Sequence, residues 1–203
     1  MYIVIEGQDG TGKSTQARLL QEYFSKQGKE TIVMDAPDGD LPQAHDIHDL
    51  ILVQGKNYGL EPMTNVLLFT AARVELWKKI AEPVLRRGGV VISARNYWST
   101  LAYQGYGEGI SRSKIIRITK DTLPDKYYHP DKSCILTVSD SVRLQRQSHR
   151  GKSTETFEAK PDEFQQKVNN AYPKIAKDFD IPIVDASGTI EEVFAKVKQT
   201  FGI

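Results

Sequence analysis

The chain has 203 residues, enough for one α/β domain with a well-buried core. Its 27 lysines and arginines balance 26 acidic residues, so no global field favours a nucleic-acid or membrane-surface partner. No stretch approaches the length of a membrane span and the N-terminus reads as a strand and a loop rather than a leader, so a soluble protein is expected.

The first apolar, β-branched run predicts a buried strand over Tyr2–Glu6. Residues Gly7 to Ser14, G-Q-D-G-T-G-K-S, then complete the pattern G-x-x-x-x-G-K-[ST]. A helix over 13–27 follows, with Ala17, Leu20, Tyr23 and Phe24 at helical spacing. Strand, glycine-rich turn and helix together form the setting a phosphate-binding loop needs. Gly7 and Gly12 let the backbone curl so that its N–H groups face phosphate oxygens, and the helix N-terminus adds partial positive charge. Gly10, Thr11 and Thr15 complete the expected cradle. Lys13 is expected to reach the β- and γ-phosphates and Ser14 to hold Mg²⁺. A nucleoside triphosphate is the predicted ligand.

Further strands are predicted over Thr31–Met34, Val90–Ser93, Ser133–Val138 and Pro182–Asp185, and helices over 43–54, 62–87, 97–106, 111–121, 140–149, 161–179 and 189–201. Helix 161–179 carries the stripe Phe164, Val168, Tyr172, Ile175 and Phe179; the last helix carries Ile190, Val193, Phe194, Val197 and Phe201. This alternation predicts a five-stranded parallel sheet with helices on both faces, a three-layer P-loop type α/β fold in one domain, residues 1–203. Cys134 lies in an apolar run and reads as a small buried hydrophobe. A lone cysteine excludes a disulfide framework and suits a reducing cytoplasm. Ser148 to Glu158 is polar, basic and poor in apolar residues, the place for a phosphate-covering lid spanning roughly 146–158.

Phe69 and Arg73 stand four apart on one predicted helix face, so an aromatic plane and a hydrogen-bonding fork lie one turn apart. That pairing suits a nucleobase, stacked on its face and read at a carbonyl edge. The wider stretch runs N-V-L-L-F-T-A-A-R from Asn65, then E-P-V-L-R-R-G-G-V-V-I-S-A-R-N-Y-W-S-T-L-A-Y-Q-G up to Gly105. With the loop as E-G-x-D-G-x-G-K-S-T and I-V-D-A-S before the last helix, it closely resembles the thymidylate kinase family over nearly the whole chain.

The resemblance implies ATP-dependent phosphorylation of dTMP to dTDP with Mg²⁺. It implies that Phe69 stacks on the thymine, Pro37 packs on its other side and Arg73 bonds O4. Arg95 would grip the acceptor phosphate, Asp9 would bond the sugar 3′-hydroxyl and help arrange Mg²⁺, and Tyr103 would pack where a 2′-hydroxyl would project. Thr100 and Gln104 fall near base and sugar, and Arg146 and Arg150 match an R-x3-R pair that closes over the transferring phosphoryl. The family's usual homodimer is expected too.

This chain departs from the pattern in three places. Ala94 and Asn96 replace the aspartate and tyrosine of an Asp-Arg-Tyr motif. Asp35-Ala36-Pro37-Asp38-Gly39-Asp40 replaces Arg-Glu-Pro-Gly-Gly-Thr. Glu155-Thr156-Phe157-Glu158 lacks a lid arginine whose charge Lys152 could supply. Activity is still expected, because a phosphate acceptor with its second pKa near ~6 arrives ionised and needs no general base. Two alternatives remain at this stage: a kinase for dUMP or a 5-substituted dUMP, and a catalytically silent nucleotide-binding protein. A nucleoside kinase is disfavoured, because its carboxylate base would belong at Ala94.

Overall fold

Short β-branched runs separated by helices leave each strand with both faces to bury, which only a covered parallel sheet satisfies. In the computed structural model, which describes residues 1–34, 41–139, 141–143, 145–146, 157 and 160–203, that sheet forms. Strands β1 (Tyr2–Glu6), β2 (Thr31–Met34), β3 (Val90–Ala94), β4 (Lys132–Thr137) and β5 (Ile183–Asp185) run parallel in the order β2-β3-β1-β4-β5. All five expected strands are present; β1 and β2 have the expected ends, and β3, β4 and β5 differ by one residue at one or both ends. Every residue of β1 and β3 is buried. Register places Ile5 against Ala94 on one side and Cys134 on the other, so β1, β3 and β4 end at the same side of the sheet, staggered by a residue or two. The C-terminal edge of these central strands is where a parallel sheet offers a crevice.

Two cores flank the sheet. On one face α1 (Lys13–Ser25) and the last helix, Ile190–Phe201, bury Ala17, Leu20, Phe24, Val193, Val197 and Phe201 against Ile3, Ile5 and Ile92. On the other face the larger cluster gathers Tyr2, Val4 and Val91 with helical residues, including Val66, Phe69, Leu76 and Trp77. Cys134 is fully buried, and burial pushes its thiol up to about 12, so it packs as a hydrophobe. No helix among the described residues is long and apolar enough to cross a membrane.

The helices depart from expectation in instructive ways. The predicted helix 43–54 is α2 (Pro42–His48) followed by a π-helical turn, Asp49–Val53, with a short helix α3 (Gly55–Tyr58) after it. The predicted helix 62–87 is α4 (Pro62–Leu76), a π-helical turn at Trp77–Ala81, and α5 (Glu82–Arg86). Pro83 carries no N–H and cannot continue the ordinary ladder, and a wider turn just before it absorbs the loss. The segment 97–106 divides likewise into α6 (Tyr97–Thr100) and a π-helical turn, Leu101–Gly107. Helix α7 (Arg112–Thr122) is as expected, and a short α8 (Asp125–Tyr128) was not foreseen.

The stripe on α9 (Asp162–Asp178) buries Phe164, Val168, Tyr172 and Ile175, with Phe179 partly covered just beyond its end. On α10 (Ile190–Phe201) one stripe member is wrong. Ile190 is 52 % exposed because this first helical residue faces an open cavity rather than the sheet. A capping box at Thr189 and Glu192 starts that helix.

Gly89 enters β3 where a side chain has no room. A Cβ there would lie 2.6 Å from Val84 Cγ1 and 2.9 Å from the Glu30 carbonyl oxygen. Gly89→Ala is therefore expected to destabilise the protein by about 1–3 kcal/mol through overpacking. A lowered urea midpoint with unchanged slope would show it, and an unchanged midpoint would refute the steric reading.

Candidate functional site

The loop after β1 folds back on the sheet edge because Gly7 adopts φ +140, where a Cβ would collide with the Leu136 carbonyl oxygen and approach Thr11 Oγ1 at 2.9 Å. Only glycine fits that approach. Thr11 Oγ1 donates to the Gln8 carbonyl at 2.8 Å, and Lys13 Nζ donates to the same oxygen at 2.9 Å. Helix α1 begins at Gly12 with no side-chain cap, leaving the positive end of its dipole to the loop. A curled glycine-rich backbone, a helix N-terminus and a buried lysine form a donor set that fits a triphosphate.

One carboxylate gathers the residues around this loop. Asp9 Oδ1 is paired with Arg95 Nη2 and lies 3.6 Å from Lys13 Nζ. Asp9 Oδ2 accepts a hydrogen bond of 2.7 Å from the Tyr103 hydroxyl. Burial alone would raise the Asp9 carboxyl, but Arg95 and Lys13, aided by the Tyr103 hydrogen bond, hold it far below its ordinary 3.8. Burial, and after it the Asp9 charge, pushes the Tyr103 hydroxyl well up, so it stays protonated as the donor. Arg95 itself has φ 103, a conformation that costs a non-glycine residue about 1–3 kcal/mol. Its N–H donates to the Ile5 carbonyl at 3.1 Å, and its own carbonyl accepts from Ser93 Oγ at 2.5 Å. These bonds hold the turn that aims the guanidinium at the loop.

A second carboxylate, which sequence reasoning did not assign, holds the frame. Glu6 is fully buried at the end of β1. Its Oε1 accepts from the Asn96 N–H at 2.7 Å and the Ser99 N–H at 3.1 Å, and its Oε2 from Ser99 Oγ at 2.8 Å and the Gly7 N–H at 3.2 Å. Asn96, standing where the family pattern has tyrosine, caps α6 by accepting from the Trp98 N–H at 2.8 Å. Ala94 is fully buried within the apolar cluster of Ile5 and Ile92, so no carboxylate stands there. Glu6 is committed to α6 and the loop; Asp9 is the carboxylate beside Lys13.

The expected base-reading pair sits deeper. Phe69 and Arg73 are both buried on α4, with the guanidinium carbon 5.5 Å from the ring centroid. Arg73 Nη1 donates to Thr100 Oγ1 at 2.7 Å, while its buried Nε and the buried Gln104 Nε2 have no partner among the described residues. Buried donors left unpaired are costly unless a ligand satisfies them. Thr100 and Gln104 thus stand buried beside Arg73, and the hydrogen bond shows Thr100 setting the Arg73 fork. The π-helical turn at Leu101–Gly107 brings Tyr103 and Gln104 inward together.

Three further residues join the site without any local signal in the sequence. Phe157 is buried with its ring 6.0 Å from Phe69 and 5.9 Å from Tyr103. Gln165 Nε2 donates to the Phe157 carbonyl at 2.6 Å, and Gln8 Nε2 reaches Gln165 Oε1 at 3.3 Å. The phosphate loop, the first turn of α9 and the aromatic pocket are thereby linked through contacts spanning up to 157 residues of sequence.

Arg146 shares a cavity with the phosphate loop. Its Nη2 donates to the Ala186 carbonyl at 2.8 Å and lies 3.4 Å from the Gly188 carbonyl. It lines a cavity of about 570 Å³ with Gly12, Thr15, Gln16 and Ser187. Two carbonyls beyond β5 hold one end of the guanidinium, so Arg146 forms a wall of the space beside the loop. Pro37, Arg150, Lys152 and most of the expected lid lie outside the described residues.

A glycine-rich phosphate loop at the edge of a β2-β3-β1-β4-β5 parallel sheet, with cations converging on one acid, defines a P-loop nucleotide-binding protein. Comparison with known proteins narrows this. The family model described as thymidylate kinase matches residues 5–197. A thymidylate kinase of Chlamydia caviae is 32 % identical over 203 residues, covering 99 % of this chain and 97 % of that protein. One from Cereibacter sphaeroides is 35 % identical over 205 residues, covering 96 % and 91 %. The crystal structure of thymidylate kinase from Ehrlichia chaffeensis superposes with a TM-score of 0.77 at 28 % identity, covering 100 % of this chain and 98 % of that one. The chain belongs to the thymidylate kinase family.

The depressed Asp9 carboxyl has a measurable consequence. Because its folded value lies below its unfolded one, its contribution to stability is complete above about pH 4–5 and is lost as the pH falls further. Asp9→Asn should therefore flatten the acid limb of the stability curve by up to one proton, about 1.4 kcal/mol per pH unit. Parallel acid limbs in urea titrations of the two proteins would contradict the assignment.

Proposed function

We propose that this member of the thymidylate kinase family transfers the γ-phosphoryl group of ATP to dTMP, giving dTDP and ADP. One observation carries the reading: Lys13 from the donor side and Arg95 and Tyr103 from the acceptor side meet on the single carboxylate of Asp9. The aromatic path from Tyr103 through Phe157 to Phe69 then connects that junction to a pocket suited to a pyrimidine base.

Each residue's part follows from its chemistry. Phe69 stacks on the base, and Arg73, held by Thr100, donates to the O4 edge. Tyr103 closes the sugar side, leaving little room for a 2′-hydroxyl. Arg95 exchanges its pairing with Asp9 for the acceptor phosphate, a stronger charge-assisted contact. Lys13 and the backbone N–H groups of the loop neutralise the donor phosphates. Ser14 and Asp9 would hold Mg²⁺, which when bound supplies further charge neutralisation. No residue has to remove a proton, because the attacking phosphate oxygen is already ionised near neutral pH. That chemistry is compatible with Ala94 at the end of β3. Arg146 and the chain after β5 offer a wall for the purine of the donor. Val53, Tyr58 and Leu67, each more than half exposed, supply apolar surface for the homodimer that the family resemblance implies.

An assay coupled to ADP release, run across deoxy- and ribonucleoside monophosphates with Mg²⁺, tests the proposal. Turnover is expected to be highest with dTMP, and Lys13→Ala should abolish it without unfolding the protein. Absence of turnover with every monophosphate would leave a silent nucleotide-binding protein. Greater efficiency with dUMP or a 5-substituted dUMP would shift the substrate.

Two arginines should separate in their kinetics. Arg73→Ala is expected to lower kcat/KM for dTMP about 10- to 100-fold, on the order of 1.5–3 kcal/mol, with little change in KM for ATP. Arg146→Ala should do the reverse, raising KM for ATP about several-fold. Equal effects on both substrates in either variant would remove that residue from its proposed pocket.

A further inference from the structure

We propose that His45, His48 and Asp49 form a binding site for a divalent transition-metal ion of the zinc class, on the outer surface of α2 and the π-helical turn that follows it. The three residues lie at the end of α2 and the start of the π-helical turn that follows it. His45 and His48 are three apart and His45 and Asp49 four apart, so all three project from one helix face. The imidazole rings are nearly parallel, 9° apart with centroids separated by 6.1 Å. Asp49 Oδ2 lies 3.7 Å from His45 Nε2, and Asp49 Oδ1 lies 3.3 Å from His48 Nδ1.

One ligand atom from each residue falls within 4.8 Å of the other two. Tetrahedral ligands held at about 2.0–2.1 Å from zinc stand about 3.3–3.4 Å from one another. The contact between His48 and Asp49 already has that length. Closing the widest gap takes about 1.4 Å, within reach of a side-chain rotation. His45 is 57 % exposed, so its ring is open to an ion from solvent.

An ordinary helical His–Asp pair explains one imidazole beside Asp49. It does not explain two imidazoles each facing a different oxygen of the same carboxylate. Two nitrogens and a carboxylate suit zinc, cobalt, nickel or copper, whereas magnesium and calcium prefer all-oxygen sites. This cluster is separate from the phosphate loop, so it is distinct from the Mg²⁺ site proposed there. Three protein ligands leave one coordination position for water. Because α2 packs on α4, an ion here would staple the helix adjoining Phe69 and Arg73.

The test uses the full chain, stripped with a chelator and desalted, with Mg²⁺ in excess throughout. Zinc is titrated against a chromogenic chelator, and cobalt is followed by visible absorption. Wild type should take up one ion per chain and melt at a higher temperature with zinc. His48→Ala and Asp49→Asn should bind at least about tenfold more weakly and lose the thermal shift. Their Mg²⁺-dependent kinase rate without zinc should match wild type. His129→Ala, which removes another helical His–Asp pair, should leave binding unchanged. Equal zinc affinity in wild type and His48→Ala would overturn the proposal, as would no uptake at about 100 µM free ion.

Discussion

An acid largely withdrawn from water must be matched by donors or it will not stay charged, and the half-buried Asp9 meets that demand by recruiting residues from three parts of the chain. Lys13 comes from the head of α1, Arg95 from the turn after β3 and Tyr103 from the π-helical turn beyond α6. Pairing holds the carboxyl far below its ordinary value, and in return the acid holds the cations where phosphates would enter. The strained backbone at Arg95 persists because β1, Ser93 and Asp9 together determine its position. The Asp9 carboxylate pairs with the guanidinium that is proposed to take the acceptor phosphate.

Glu6 plays the complementary structural part. Its oxygens accept from the phosphate loop on one side and from α6 on the other, so the donor-side loop and the acceptor-side helix share one buried anchor. The replacement of tyrosine by Asn96 makes sense in this setting. Its short amide caps α6 where a phenol could not, and its backbone N–H still reaches Glu6. Ala94 lies just before this turn and is packed into the apolar core, where a carboxylate would be desolvated. The departures at Ala94 and Asn96 therefore fall beside a carboxylate, Glu6, that remains intact.

How far the chain could be read beforehand depended on the range of the interaction. The strands were legible because β-branched runs between turn residues report burial on both faces, and the phosphate loop because its spacing is contiguous. The π-helical turns were not, since a helix that widens before Pro83 has the same periodicity over a few residues as one that does not. Ile190 shows the same limit: it fits the helical stripe by spacing, yet it faces a cavity because the sheet ends there. Arg146 stands in the sequence as a candidate cation, but its carbonyl partners are 40 residues or more away and no local pattern names them.

The sequence by itself determined the loop, the sheet it follows, the Phe69–Arg73 pair and the family resemblance, because each is carried by residues close together along the chain. Tertiary structure alone decided that Thr100 sets Arg73, that Glu6 joins loop to α6, and that Gln8, Gln165 and Phe157 connect the phosphate loop to the Phe69 and Tyr103 rings. Those contacts depend on which strand ends lie side by side, and hydrogen bonds between distant segments leave no periodicity in the sequence to read.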